Sequence, residues 1–309
     1  MTKKEKIARA QAPVARAHHY VPGFYLAGFT PSGRRDDFLW VHDRQEGRQF
    51  RARPDATGFE NDFYRVDLDG LPPDAVERDV LARFDDEGAD VLARIARDRA
   101  LPTGKELEAL VRFIAISIVR TPGFRKFFLR SKEEMARFHL RFTLAHPQAY
   151  EAFKKDMERE GKPIREEMNR ETLLAFIDEP SRYQIVFDPI VAIRNLLEMH
   201  EALFPVIAAR TWSLFEAGED DFIASDNPVS VVATSPDAGP FFGFGVKETE
   251  ITFPLSRSLA LVGSFHDQGV VSRIERKLVG LLNRRTLDSA QRFVYSSGPR
   301  YLVSASNHD

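Results

Sequence analysis

Apolar residues recur along this chain with two different rhythms. Between about residues 73 and 206 they follow the 3.6-residue period of helices, and on either side they fall into short runs punctuated by Gly, Pro, Asp and Asn. The middle stretch has three marked starts. Asp74 with Glu77, Thr103 with Glu106, and Ser131 with Glu134 each set a capping side chain three residues ahead of a carboxylate, so that both can meet free N–H groups of a first turn. This predicts helices beginning near residues 75, 104 and 132. In the first, Val76, Val80, Phe84, Val91, Leu92 and Ile95 define one buried face. The second is apolar nearly all round from Ala109 to Val119, which predicts a central helix. Further helices are expected over 147–160, 164–178 and 189–206.

The flanking runs read as strands. Leu39 to His42 and Gln49 to Arg51 surround a turn at Gln45-Glu46-Gly47 and predict a hairpin, while the residues from Pro31 to Asp37 are polar and read as a surface loop. After Ala209, strands are predicted over 211–217, 222–225, 229–233, 250–254 and 259–265, then a helix over about 272–290 and a last strand over 292–296. Strands at both ends with helices between them imply an α+β fold: a mixed or antiparallel sheet drawn from both chain ends, with a helical middle layer. No Gly/Ser- or Pro-rich linker separates two cores. The expected organisation is a basic arm at 1–17 and a single α+β domain at 18–309, with a helical insertion at about 73–206.

Composition narrows the chemistry. With 44 basic against 46 acidic side chains, the net charge of -2 supplies no global field toward nucleic acid or an anionic membrane, so any anion site must be local. The absence of cysteine excludes disulfides, thiolate catalysis and Cys-ligated metal, and fits a reducing compartment. The first 17 residues are basic and lack the apolar stretch of a secretory signal. The most apolar run, Ala109 to Val119, is about half the ~20 residues of a membrane span and contains Arg112. A cytoplasmic protein with no membrane partner is expected.

Four polar clusters stand beside predicted element boundaries: His18-His19-Tyr20, Glu60-Asn61-Asp62, Arg120-Thr121-Pro122 and Ser225-Asp226-Asn227-Pro228. Together they supply imidazole, carboxylate, guanidinium and amide, the components of general acid–base chemistry or of a divalent-metal site. Each also has a plainer reading. His19 can cap the helix that Pro22 would begin, and Glu60 and Asp62 can be turn residues. Arg120, closing the most apolar helix, needs an anionic partner if buried, with Asp226 or Glu60 as candidates, or it can interact with the C-terminal end of its own helix. Asp226 and Asn227 can serve a tight connection whose geometry Pro228 enforces. No GxxxxGK[ST], GxGxxG, HExxH or GxSxG signature is present, which disfavours standard nucleotide hydrolysis, dehydrogenation, zincin proteolysis and α/β-hydrolase chemistry.

The strings HHYVPGFYLAGF at 18–29, ENDFY at 60–64, RTP at 120–122, FIASDNPV at 222–229 and ITFPLS at 251–256 together resemble the HYVP-signature family, domain of unknown function 4238, over about residues 17–296. The resemblance implies that His18, His19, Glu60, Asp62, Arg120, Asp226 and Asn227 fall on motif positions; it implies no substrate, metal or fold. The leading expectation is a divalent-metal-dependent hydrolase, a phosphodiesterase or nuclease. In it Glu60, Asp62 and Asp226 hold Mg²⁺ or Mn²⁺, His19 acts as general base, Arg120 neutralises phosphate charge, and His18, Tyr20 and Asn227 contact the ligand. The alternative is a non-enzymatic module for a nucleotide or nucleic acid, in which Tyr20, Phe24, Tyr25 and Trp40 stack a ring and Arg120 or the basic arm holds an anion. In a third reading the motifs only fix the fold.

Overall fold

A computed structural model describes residues 16–165, 167–239, 242–266 and 269–305. Most of the basic arm, 1–15, lies outside the described residues. The chain divides into two compact units: Met1–Phe124 with Ile193–Asp309, and Arg125–Ala192. The architecture is α+β.

In the first unit the described elements are β1 (Ala17–His19), α1 (Gly23–Ala27), β2 (Leu39–Asp43), β3 (Arg48–Ala52), β4 (Phe59–Asn61), a π-helical stretch (Val76–Leu81) running into α2 (Ala82–Asp98), and α3 (Gly104–Val119). Then α4 (Pro122–Ala145) leads into the second unit, which holds α5 (Pro147–Arg159) and α6 (Arg170–Ile177), and α7 (Pro189–Ala208) leads back. The chain finishes with β5 (Thr211–Ala217), β6 (Ala224–Ser225), β7 (Ser230–Ala233), β8 (Thr249–Ser256), β9 (Leu259–Ser264), β10 (Val271–Ile274), α8 (Arg276–Ser289) and β11 (Phe293–Ser296).

Among the described residues three sheets result. The expected union of the chain ends is present in the order β3-β2-β11-β6, where Val294 lies opposite His42 and also opposite Ser225. A five-stranded sheet runs β10-β5-β9-β8-β7, antiparallel except for β10 beside β5, and β1 pairs with β4 in a short ribbon. The core of the first unit gathers Tyr25, Phe29, Leu39, Val41, Phe113, Ile114 and Phe253. Tyr25 stacks on Phe253 at 5.4 Å and donates its hydroxyl to the Pro254 carbonyl at 2.7 Å.

The helix expected over 164–178 is shortened to Arg170–Ile177 and the strand expected over 222–225 to Ala224–Ser225, and two further elements differ for an evident reason. Ser131 and Glu134 start no helix: α4 runs through them, the Ser131 hydroxyl donates back to the Phe127 carbonyl, and Glu134 pairs with Arg130. The start lies ten residues earlier, where Pro122 occupies the first helical position and Thr121 Oγ1 accepts from the Phe124 N–H. The helix expected over 272–290 begins only at Arg276, because residues 271–274 pair with β5 as β10. Tertiary pairing there overrides a helical pattern.

In the second unit Arg137 pairs with Glu133 and lies 5.3 Å from the Tyr183 ring, and Arg141 pairs with Asp178. Asn169 caps α6 by accepting from the Thr172 N–H. Among the described residues no helix is long and apolar enough to cross a membrane.

Candidate functional site

The opening motif is held by the ENDFY segment. Pairing of β1 with β4 sets His18 opposite Glu60 and His19 opposite Phe59. Just beyond, the Gly58 carbonyl accepts from the N–H groups of both Tyr20 and Val21 at 3.0 Å. Gly58 has φ +70°, and a Cβ there would lie 2.9 Å from the Val21 carbonyl, so conformation and space both call for glycine. Pro22 precedes α1, and the Leu26 N–H reaches back to the Pro22 carbonyl. His19 forms no side-chain cap on that helix.

His18 is buried; its Nδ1 accepts from the Tyr64 N–H at 2.7 Å, which leaves the proton of the neutral ring on Nε2. His19 is half-buried and held at both ends of its backbone. Its N–H donates to Glu77 Oε1 at 3.1 Å, and its carbonyl accepts from Arg120 Nη2 at 2.6 Å. The imidazole packs on Phe59 at 5.4 Å and lies 3.4 Å from the Asp55 carbonyl.

Arg120 organises this cluster. It caps the end of α3, is 0% exposed, and pairs with Asp85 on α2 at 2.5 Å, while its own carbonyl accepts from the Tyr64 hydroxyl at 2.5 Å. The partner is therefore neither Asp226 nor Glu60. Thr121 and Pro122 begin the next helix, so the RTP step ends one helix, starts another and aims a guanidinium inward. Burial works against the charge, but the neighbouring Asp85, Tyr64 and Glu77 outweigh it and raise the Arg120 pKa.

Glu77 stands on the π-helical stretch, where the Ala82 N–H bonds to the Glu77 carbonyl; such widened turns frequently occur at functional sites. Burial raises its carboxyl pKa to about 7, with Arg120 and the His19 N–H opposing and Asp85 and Asp74 adding to the rise. Burial also lowers the His19 pKa below the usual histidine value, only partly offset by the Asp55 carbonyl. Two atoms of the cluster, Glu77 Oε2 and Arg120 Nε, are buried and have no hydrogen-bond partner among the described residues.

The remaining predicted residues have other surroundings. Asp62, at φ 59°, is bound by Arg16 at 2.8 Å, which lowers its pKa. Glu60 is exposed. Asp226 is buried, and its two oxygens accept the N–H groups of Gln291, Arg292 and Phe293 at 2.8, 2.7 and 2.9 Å. Burial nevertheless leaves its carboxyl pKa raised. The Asn227 amide donates to the Ser289 carbonyl, tying this corner to the end of α8. Tyr20 is 3% exposed and Tyr25 2%, so neither presents a free ring face, whereas Trp40 is partly exposed. Among the described residues no group of three or more His, Asp or Glu side chains is arranged to hold a metal ion.

Among the cavities lined by described residues, two lie elsewhere and include none of these side chains. One, of about 450 Å³, is lined in part by Glu219, Asp220, Asp221, Arg276 and Tyr301, with Asp220 paired to Arg276 and Asp221 to Arg257. The other, of about 410 Å³ and within the second unit, is lined in part by Tyr150, Lys154, Arg165 and Glu171.

The structure thus brings His18, His19 and Arg120 together and sets Glu60 beside them on the ribbon, while burial first and then the Asp226 charge raise the pKa of the Tyr20 hydroxyl. Glu77, Asp85 and Tyr64 are the members sequence reasoning did not single out. Glu77 reads in the sequence as a capping carboxylate and Asp85 has no local signal, whereas Tyr64 stands inside ENDFY. No curated protein and no solved structure matches the chain. A family model described as protein of unknown function, DUF4238, matches residues 17–299 and covers every element of this cluster, so the chain belongs to that family.

Proposed function

We propose that the first unit carries a hydrolase site in which Glu77 and His19 transfer protons and Arg120 positions them. The observation that carries this reading is the pair of unpartnered polar atoms, Glu77 Oε2 and Arg120 Nε, in the cluster that grips both ends of the His19 peptide. A buried polar atom without a partner costs about 1–3 kcal/mol, and such atoms call for an explanation such as a catalytic role or a bound water. Glu77, holding its proton to about pH 7, is suited to donate to a leaving group. The neutral His19 imidazole is suited to accept a proton from attacking water. Arg120 is fully buried and neutralised by Asp85, so it acts through His19 and Glu77. This acid–base pair takes the place of a metal set built on Asp226, whose oxygens already accept three backbone N–H groups.

The test is cleavage of labelled single-stranded DNA and RNA and of a small chromogenic phosphodiester, with Mg²⁺, Mn²⁺ or chelator, from about pH 5 to about pH 9. The expected profile is bell-shaped, with an alkaline limb falling through about pH 7 as Glu77 loses its proton. Glu77→Gln should lower the rate by about 10²- to 10⁴-fold and abolish that limb, and His19→Asn should abolish the acidic one. Full activity in Glu77→Gln, or a profile flat across neutrality, would remove the reading.

A further inference from the structure

The outer face of the N-terminal hairpin carries a pattern that the acid–base cluster does not use. Along β2 the burial alternates: Leu39, Val41 and Asp43 point inward, and Trp40 and His42 are partly exposed. Across the register Trp40 faces Arg51 and His42 faces Gln49, and β3 is the edge strand of its sheet. Phe38, just before β2, is 38% exposed, and the guanidinium groups of Arg51 and Arg53 lie 5.0 and 5.5 Å from its ring. One face of this edge of the four-stranded sheet therefore displays Phe38, Trp40 and His42 in a row, with Gln49, Arg51 and Arg53 alongside. The His42 ring continues the row to Tyr301 at 5.0 Å.

No carboxylate among the described residues forms a close ion pair with Arg51 or Arg53: Asp36 pairs with Arg34 at 2.9 Å, Asp55 with Arg35 at 2.6 Å, and Asp37 accepts from the N–H groups of Ser32 and Phe38, so that Asp36 attracts Arg53 and Asp37 attracts Arg51 only from farther away. Flat aromatic and guanidinium surfaces whose N–H groups are not taken by a close carboxylate suit a ligand that offers both rings and anions. Alternate residues of a strand stand about 7 Å apart, roughly twice the 3.4 Å rise of stacked duplex bases, so bases set against this row must be spread apart. That spacing favours a single strand over a duplex.

We propose that the outer face of the β2–β3 hairpin is a stacking platform for single-stranded nucleic acid, with Trp40 and the Arg–Phe38 stack meeting bases and the guanidinium N–H groups meeting phosphates. The platform shares no residue with the acid–base cluster and does not depend on it.

The test uses the full chain with a fluorescein-labelled oligothymidylate in chelator, read by anisotropy and by tryptophan fluorescence. The chain has 2 tryptophans, and Trp212 is buried, so quenching on binding reports Trp40. Trp40→Phe should bind but lose the quench, and Trp212→Phe should keep it. Phe38→Ala should weaken binding about 5- to 150-fold, the range for one stacked base. Arg51→Gln combined with Arg53→Gln should reduce the slope of log affinity against log salt by about 1.4, from about 0.7 per phosphate contact on a single strand. Glu77→Gln should bind as the parent does, which separates this site from the hydrolytic one. The proposal is overturned by absence of binding up to about 100 µM, by affinity unchanged in the Phe38 and arginine variants, by tighter binding of a duplex, or by equal binding of polyglutamate, which offers charge without rings.

Discussion

The Arg120 cluster and the Asp226 corner both bury a charged side chain from a sequence motif, and they treat it in opposite ways. Asp226 is satisfied by backbone: three consecutive N–H groups between α8 and β11 converge on its oxygens, and no further hydrogen bond is needed. Arg120 is met by Asp85 and a carbonyl, yet its Nε and the neighbouring Glu77 Oε2 stay open, and Glu77 holds its proton to about pH 7. The first arrangement closes a corner; the second leaves two buried polar atoms without a hydrogen-bond partner among the described residues. Burial and motif membership are common to both regions; what differs between them is hydrogen-bond saturation.

That contrast can be broken or sharpened in order of expected effect. Arg120→Met should destabilise the protein by about 3–5 kcal/mol in chemical denaturation, since Asp85 would be left without its counter-charge. Asp226→Ala should cost about 3 kcal/mol through the three freed N–H groups, and Asp226→Asn should recover part of it while leaving any hydrolytic pH profile in place. A profile altered by Asp226→Asn would erase the distinction between the two regions.

Glu77→Gln should act in the other direction. Because the fold raises this pKa, the stabilisation from protonated Glu77 is complete below the ordinary value near 4.5 and is lost as pH rises through about 7. The variant keeps an acceptor for the His19 N–H and carries no charge, so at about pH 8.5 it should be more stable than the parent by up to about 3 kcal/mol. The advantage should vanish near pH 4, and a parallel pair of stability curves would show that Glu77 titrates normally. The smallest effect is expected at exposed Glu60, where Glu60→Ala should change stability by under about 0.5 kcal/mol and leave the pH profile unchanged.

The legible part of the molecule was local. The hairpin at 39–52, the apolar helix at 104–119 and the run 211–217 were visible because period and punctuation act within a few residues. The failures were local signals outvoted at a distance. Ser131 and Glu134 have the spacing of a helix start, but once Thr121 and Pro122 had begun α4 they became one surface of a continuing helix. Of the candidate site, sequence pointed to His18, His19 and Arg120, which the structure brings together, and not to the partners that define their state.

By itself the sequence determined an α+β chain whose two ends share a sheet, the interior placement of its apolar runs, and the need of Arg120 for an anion. Tertiary structure alone decided that the anion is Asp85, that Glu77 keeps its proton near neutrality, that Asp226 is saturated by backbone, and that Trp40 faces outward beside Arg51. The reason is physical. Periodicity is encoded in neighbours along the chain, but desolvation, Coulomb interaction and hydrogen-bond saturation depend on groups that folding brings together from far apart.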